Sequence, residues 1–187
     1  MNNAVLIPGT CDEEEYLNDK YSSLSNSHWF PWLQKQLLIK DVFTQTPEMP
    51  NAYKPDYEKW KSEFERFSVD EDSILVGHSC GGGFLVRWLS ENKIKVKKLI
   101  LVAPWLDPDR KKTTTFFDFR IDPAITERME THILISNDDD KDIQISVSKI
   151  KDALPGANKH DFQGMGHFTY EQMKTDKFPE LLKIIES

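Results

Sequence analysis

At 187 residues, the chain is long enough to bury one sizeable core, and it has no apolar run long enough to span a membrane as a helix. A net charge of −7, from 31 acidic against 24 basic residues, excludes the basic field that a nucleic-acid binder needs. The only cysteines, Cys11 and Cys80, are too few for a disulfide framework and point to a reducing cytoplasmic or nuclear compartment.

Short apolar runs alternate with amphipathic stretches, the pattern of an α/β fold with a mostly parallel sheet. A first strand is predicted over 4–7; it is too short for a signal peptide, and no basic residue precedes it. Residues 8–28 form a long loop that carries the acidic run Asp12-Glu13-Glu14-Glu15. A helix over 29–38, a strand over 41–45 and a helix over 57–67 follow. Next come a strand over 73–76, a helix over 82–91 and a strand over 98–103. The last is continuously apolar, as a strand covered on both faces should be. A second long loop, 105–125, mixes charges with Phe116, Phe117 and Phe119. A strand over 131–136, a helix over 143–154, a strand over 159–162 and a helix over 178–185 complete the chain. The basic runs 93–98 and 110–112 read as solvated faces. No repeat or linker divides the sequence, so a single domain over 1–187 is expected. Both long loops would leave carboxyl ends of strands, where open α/β sheets bind ligands.

The motif that carries chemistry is Gly77-His78-Ser79-Cys80-Gly81. It lies between a predicted strand and a predicted helix, the context that a G-x-S-x-G nucleophile elbow requires. Its glycines permit a tight turn, with Ser79 exposed at the apex. A nucleophilic serine needs a base, and the base an orienting acid, in the chain order Ser, Asp or Glu, His. Of five histidines only His167 sits in a late, glycine-flanked loop, Gly164-Met165-Gly166-His167-Phe168. The acid falls in Asn137-Asp138-Asp139-Asp140. With Asn137 as the turn residue and Ile143 opening the next helix, the frame selects Asp140; a shift of one selects Asp139, and Asp138 is a further competitor. Oxyanion donors are expected from the backbone N–H of Cys80, after the nucleophile, and of Thr10, in the first loop. Trp105, Phe116, Phe117 and Phe119 could line an apolar substrate pocket or simply pack under the loop. The histidines show no metal-ligand spacing, and no metal or cofactor is expected.

With these residues in place, the chain resembles the small cap-less serine hydrolases typified by retinoblastoma-binding protein nine and the bacterial YdeN-type proteins. The resemblance rests on Val5-Leu6-Ile7-Pro8-Gly9, His28-Trp29-Phe30-Pro31-Trp32-Leu33, Gly77-His78-Ser79-Cys80-Gly81-Gly82, Leu101-Val102-Ala103-Pro104 and Gly166-His167-Phe168. It implies a three-layer α/β/α sandwich of the α/β-hydrolase type without a large lid. It also implies a Ser–Asp–His triad that falls by residue match on Ser79, Asp140 and His167. The expected activity is carboxylesterase-like hydrolysis of a small ester, thioester or amide through an acyl-enzyme, with no nucleic-acid or membrane partner. The competing reading is a protein-interaction module on a hydrolase scaffold with little turnover. Retinoblastoma binding does not carry over, because Gly9 stands where an L-x-C-x-E motif needs leucine.

Overall fold

The computed structural model describes residues 3–187, and its centre is a six-stranded sheet in which every neighbouring pair is parallel. The strands are β1 (Asn3–Ile7), β2 (Phe43–Gln45), β3 (Ile74–His78), β4 (Lys98–Val102), β5 (Glu130–Ser136) and β6 (Asn158–Phe162), in spatial order β2-β1-β3-β4-β5-β6. Central β3 and β4 are buried along their whole length, which is why they read as unbroken apolar runs. Edge strand β6 is half-exposed and carries Lys159 and Asp161, charges that blunt pairing with another chain.

The helices are α1 (Glu13–Leu17), α2 (Phe30–Ile39), α3 (Tyr57–Phe64), α4 (Cys80–Asn92), α5 (Ile125–Arg128), α6 (Lys141–Ala153), α7 (Tyr170–Met173) and α8 (Pro179–Glu186). Local chemistry starts several of them. Pro31 lies in the first turn of α2 and Pro179 in that of α8, where the missing N–H is no loss. The Asp56 carboxylate caps α3 by accepting from the Lys59 amide at 3.0 Å. The five long helices match the predicted ones to within three residues. Short α1, α5 and α7 have no predicted counterpart, because four or five residues are too few for a helical period to register.

The chain steps from β1 out to β2 and then reverses direction towards β6. Right-handed crossovers therefore put α2 on one face of the sheet and α3, α4 and α6 on the other. An aromatic cluster packs each side. Trp29, Phe30, Phe162, Phe168 and Phe178 interlock on the α2 side. Tyr57, Trp60, Phe64, Phe84, Trp88 and Phe116 do so on the α4 side. Truncating one of the fully buried rings, such as Phe84, would cost ~3–5 kcal/mol.

The basic run 93–98 is not wholly solvated. Lys98 is buried, and its ammonium donates to the carbonyls of Ile184 (2.8 Å) and Ile185 (3.4 Å), tying the end of α8 to the sheet. Among the described residues no helix is long and apolar enough to cross a membrane.

Candidate active site

All six strands end at the same edge of the sheet, and the loops leaving β1, β3, β4, β5 and β6 meet there. Ser79 occupies the turn between β3 and α4 with φ 54° and ψ −123°, a conformation an L-residue adopts only when its surroundings hold it. Its amide donates to Val102 O at 3.0 Å, and its carbonyl accepts from the amides of Gly82, Gly83 and Trp105. The strain thus sits on the serine itself, while the glycines beside it serve close approach. A Cβ on Gly77 would lie 2.6 Å from Gly81 O, and one on Gly81 would lie 2.5 Å from Pro8 O. A Cβ on Gly9 would press on Ser79 Cβ at 2.8 Å, so the β1 loop lies directly against the serine.

His167 Nδ1 contacts both carboxylate oxygens of Asp139, at 3.0 and 3.1 Å. A carboxylate only accepts, so Nδ1 carries a proton, and in the neutral imidazole the lone pair is the one on Nε2. The Asp139 side chain is 1 % exposed and also accepts the Asp140 amide at 2.7 Å. The sequence frame selected Asp140, and the geometry places Asp139 there instead. The reason is where α6 begins: Asp140 is its N-cap residue, exposed and with no hydrogen bond to the imidazole, which leaves its neighbour inside. Asp138 faces another way, accepting from Ser136 Oγ (2.5 Å) and the Gly166 amide (3.1 Å); these two bonds hold its carboxyl below the usual range.

Several side chains fix the His167 loop. Ser136 Oγ accepts the Met165 amide and Asn137 Oδ1 the Gly164 amide, joining the end of β5 to the loop. The His78 ring donates from Nε2 to the His167 carbonyl at 2.8 Å. Burial, with the rings of His167 and His28 beside it, pushes His78 well below its ordinary value, so it is a neutral donor. The Trp29 indole donates to Phe168 O at 3.1 Å. His28 Nδ1 accepts the Tyr170 amide at 3.1 Å; burial lowers its pKa against the pull of Glu171. Sequence reasoning kept only His167 of the five histidines, and gave Trp29 no part beyond the resemblance. The clue available was their place in recognised motifs, His78 within the elbow and His28-Trp29 at the start of the His28–Leu33 stretch.

Ser79 and His167 open into a cavity of about 480 Å³, whose wall also includes Thr10, Trp105, Lys112 and Asp140. A narrower cavity of about 60 Å³ adjoins them, closed by Gly9, Leu24 and Phe30. Cys80 is the first residue of α4, so its N–H has no intrahelical acceptor. The Thr10 amide likewise finds no acceptor among the described residues.

Of the four aromatics considered for a pocket, only Trp105 lines the larger cavity. Phe116 packs edge-on to Trp60 at 5.2 Å in the core, Phe117 packs on Trp105, and Phe119 borders a separate cavity. Their loop is pinned by Arg87, which donates to the carbonyls of Thr115 and Phe116 at 2.8 Å each. Neither thiol is poised to react: burial pushes Cys80 well above its ordinary value, and burial with nearby carboxylates takes Cys11 to about 11. Among the described residues no three His, Cys, Asp or Glu side chains converge on a possible metal position.

A strained serine at a strand–helix turn, with a carboxylate-bound histidine at the same cavity, defines a hydrolase-type site on an α/β scaffold. A family model described as Serine hydrolase matches residues 18–186, and the chain belongs to that family. It is 28 % identical over 170 residues to YdeN of Bacillus subtilis (strain 168), covering 86 % of this chain and 88 % of YdeN. The crystal structure of YdeN superposes with a TM-score of 0.81 at 25 % identity, over 100 % of this chain and 97 % of that one. Two more distant structures share the fold. A serine hydrolase involved in carbazole degradation, CarC, has a TM-score of 0.65 at 14 % identity, over 100 % and 91 % of the two chains. The carboxylesterase CesB of Bacillus subtilis has 0.60 at 12 %, over 99 % and 82 %. The protein is a small α/β hydrolase of the YdeN type.

Proposed function

We propose that the protein is a carboxylesterase-like serine hydrolase that cleaves a small ester, thioester or amide through Ser79, His167 and Asp139. The observation that carries this reading is the buried Asp139 carboxylate on His167 Nδ1, which leaves Nε2 free to take a proton in the cavity that Ser79 lines. Ser79 Oγ attacks the carbonyl carbon while His167 Nε2 takes the hydroxyl proton, and Asp139 stabilises the imidazolium that forms. The amides of Thr10 and Cys80 receive the oxyanion; losing one such donor costs ~100–1000-fold in rate. Collapse breaks the bond to the leaving group, which departs with the proton from His167. Water, deprotonated by the same imidazole, then attacks the acyl-Ser79 ester; collapse breaks the Oγ–acyl bond, His167 returns its proton to Ser79 Oγ, and the carboxylic acid is released.

The test compares wild type with Ser79→Ala on short-chain p-nitrophenyl esters, with fluorophosphonate labelling in parallel. Turnover and labelling that both vanish in the variant support the reading. A wild type that neither labels nor turns over refutes it.

A further inference from the structure

One feature of the cavity plays no part in that chemistry: a buried carboxylate that shapes the rim. Asp107 is 3 % exposed, has φ 45°, and folds residues 107–113 around itself. Its oxygens accept the amides of Lys111 (2.9 Å), Lys112 (3.0 Å) and Thr113 (2.6 Å), and the Thr113 hydroxyl (2.8 Å). A carboxylate with this many donors holds the loop in one conformation. The residue so presented to the cavity is Lys112, whose ammonium lies 3.3 Å from the Asp12 carboxylate of the opposite loop. Both partners are open to water, 52 % and 84 % exposed, so this ion pair is weak and a competing anion can replace Asp12. A second cation, Lys141 at the start of α6, also lines the cavity and makes no ion pair among the described residues. Asp142 on that wall has Lys111 at 4.0 Å, and Asp140 is the one uncompensated acid. The adjoining 60 Å³ cavity, closed by Gly9, Leu24 and Phe30, has room for a few carbon atoms only.

We propose that Lys112 determines specificity at the Ser79 site, and that the substrate joins a short acyl group to an anionic leaving group. The acyl chain enters the narrow cavity, and the charge on the alcohol, thiol or amine side displaces Asp12 from Lys112. This rests on the serine hydrolase reading above. Acylation forms the Ser79 Oγ–carbonyl bond, breaks the bond to the leaving group and passes the serine proton through His167 to that group, which leaves still anionic.

Three acetates with one acyl group and different charge test this: 4-acetoxybenzoate, its neutral methyl ester, and 4-acetoxyphenyltrimethylammonium. The quantity read is KM for the charged ester relative to the neutral one, within each variant. Lys112→Gln should raise the anionic-to-neutral KM ratio about three- to fivefold, and Lys112→Arg should restore most of it. Asp12→Asn should lower the ratio about twofold by removing the competing anion, and 0.5 M salt should compress all these differences. Ratios that do not move with Lys112, or a cationic ester preferred through Asp140, overturn the inference while leaving the nucleophile reading intact. If the neutral ester is not hydrolysed and Ser79 does not label, the serine hydrolase reading fails and this inference falls with it.

Discussion

Replacing Asp139 by Asn probes the site most sharply, because its neighbour Asp140 supplies a built-in control. Asp139 Oδ1 accepts both the Asp140 amide at 2.7 Å and the His167 Nδ1 proton at 3.1 Å, and Oδ2 accepts the latter at 3.0 Å. An asparagine there keeps the Asp140 bond only by turning its carbonyl oxygen to that amide, which aims its NH₂ at His167. The carbonyl stays 3.1 Å from Nδ1, but the NH₂ takes the nearer position at 3.0 Å, where its hydrogens oppose a protonated Nδ1; the tautomer with the proton on Nε2 is favoured, and the lone pair that should receive the Ser79 proton is lost. The side chain is 1 % exposed, so water cannot restore the original arrangement. The expected loss is about 10⁴ in kcat, or about 5.4 kcal/mol at 1.36 kcal/mol per tenfold. Asp140→Asn leaves the imidazole untouched and keeps a good N-cap residue, so it should lose no more than about tenfold, mainly through KM. The assay is p-nitrophenyl acetate hydrolysis with thermal unfolding of each variant alongside. Equal losses at the two positions, or an Asp139→Asn enzyme keeping a tenth of wild-type kcat, would show that Asp139 does not orient the base.

Three further outcomes follow from the geometry. Gly77→Ala puts a methyl group 2.6 Å from Gly81 O, where only backbone can yield; unfolding should show a loss of ~1–3 kcal/mol and fluorophosphonate labelling should fall with it. A stable, fully labelling variant would mean that β3 and α4 separate without disturbing Ser79. His28, His78 and His160 all have pKa values below the ordinary 6.5, so the unfolded chain binds more protons than the native one as they titrate. Stability rises with pH under that condition, so the urea midpoint should fall steadily as pH drops from about 7 to about 5. A midpoint that stays flat or rises over that interval contradicts the burial of these rings. Finally, iodoacetamide near pH 7.5 should leave both thiols of the native protein unmodified and react with them only in denaturant, because Cys80 is buried and Cys11 titrates at about 11.

The features legible in the sequence are those that local chemistry determines. Strand positions followed from runs such as Leu99-Ile100-Leu101-Val102, and the Ser79 turn from glycines whose absent side chains allow β1, β3 and α4 to meet. The choice between Asp139 and Asp140 was not legible, because successive residues at the end of a strand point in different directions. Which one faces His167 depends on the residue at which α6 starts, and helix boundaries are poorly marked in a run of like charges. The two readings of the loop aromatics could not be separated for a related reason: Phe116, Phe117 and Phe119 share a loop, and the contact that anchors it comes from Arg87, about thirty residues upstream, through the Phe116 carbonyl. The supports of the His167 loop depend most on distance in sequence. His78 lies 89 residues from the carbonyl it holds, and Trp29 lies 139 from its own. Each is an ordinary buried ring in the sequence and acquires its role only when the carboxyl ends of the parallel strands converge. A single-residue change at His78 or Trp29 should therefore alter the base loop without removing any group of the Ser79, His167 and Asp139 set. Ser79 depends on that imidazole for its reactivity, so Trp29→Phe and His78→Asn should lose kcat and fluorophosphonate labelling together, and a fully labelling variant would show that the two rings do not position the base.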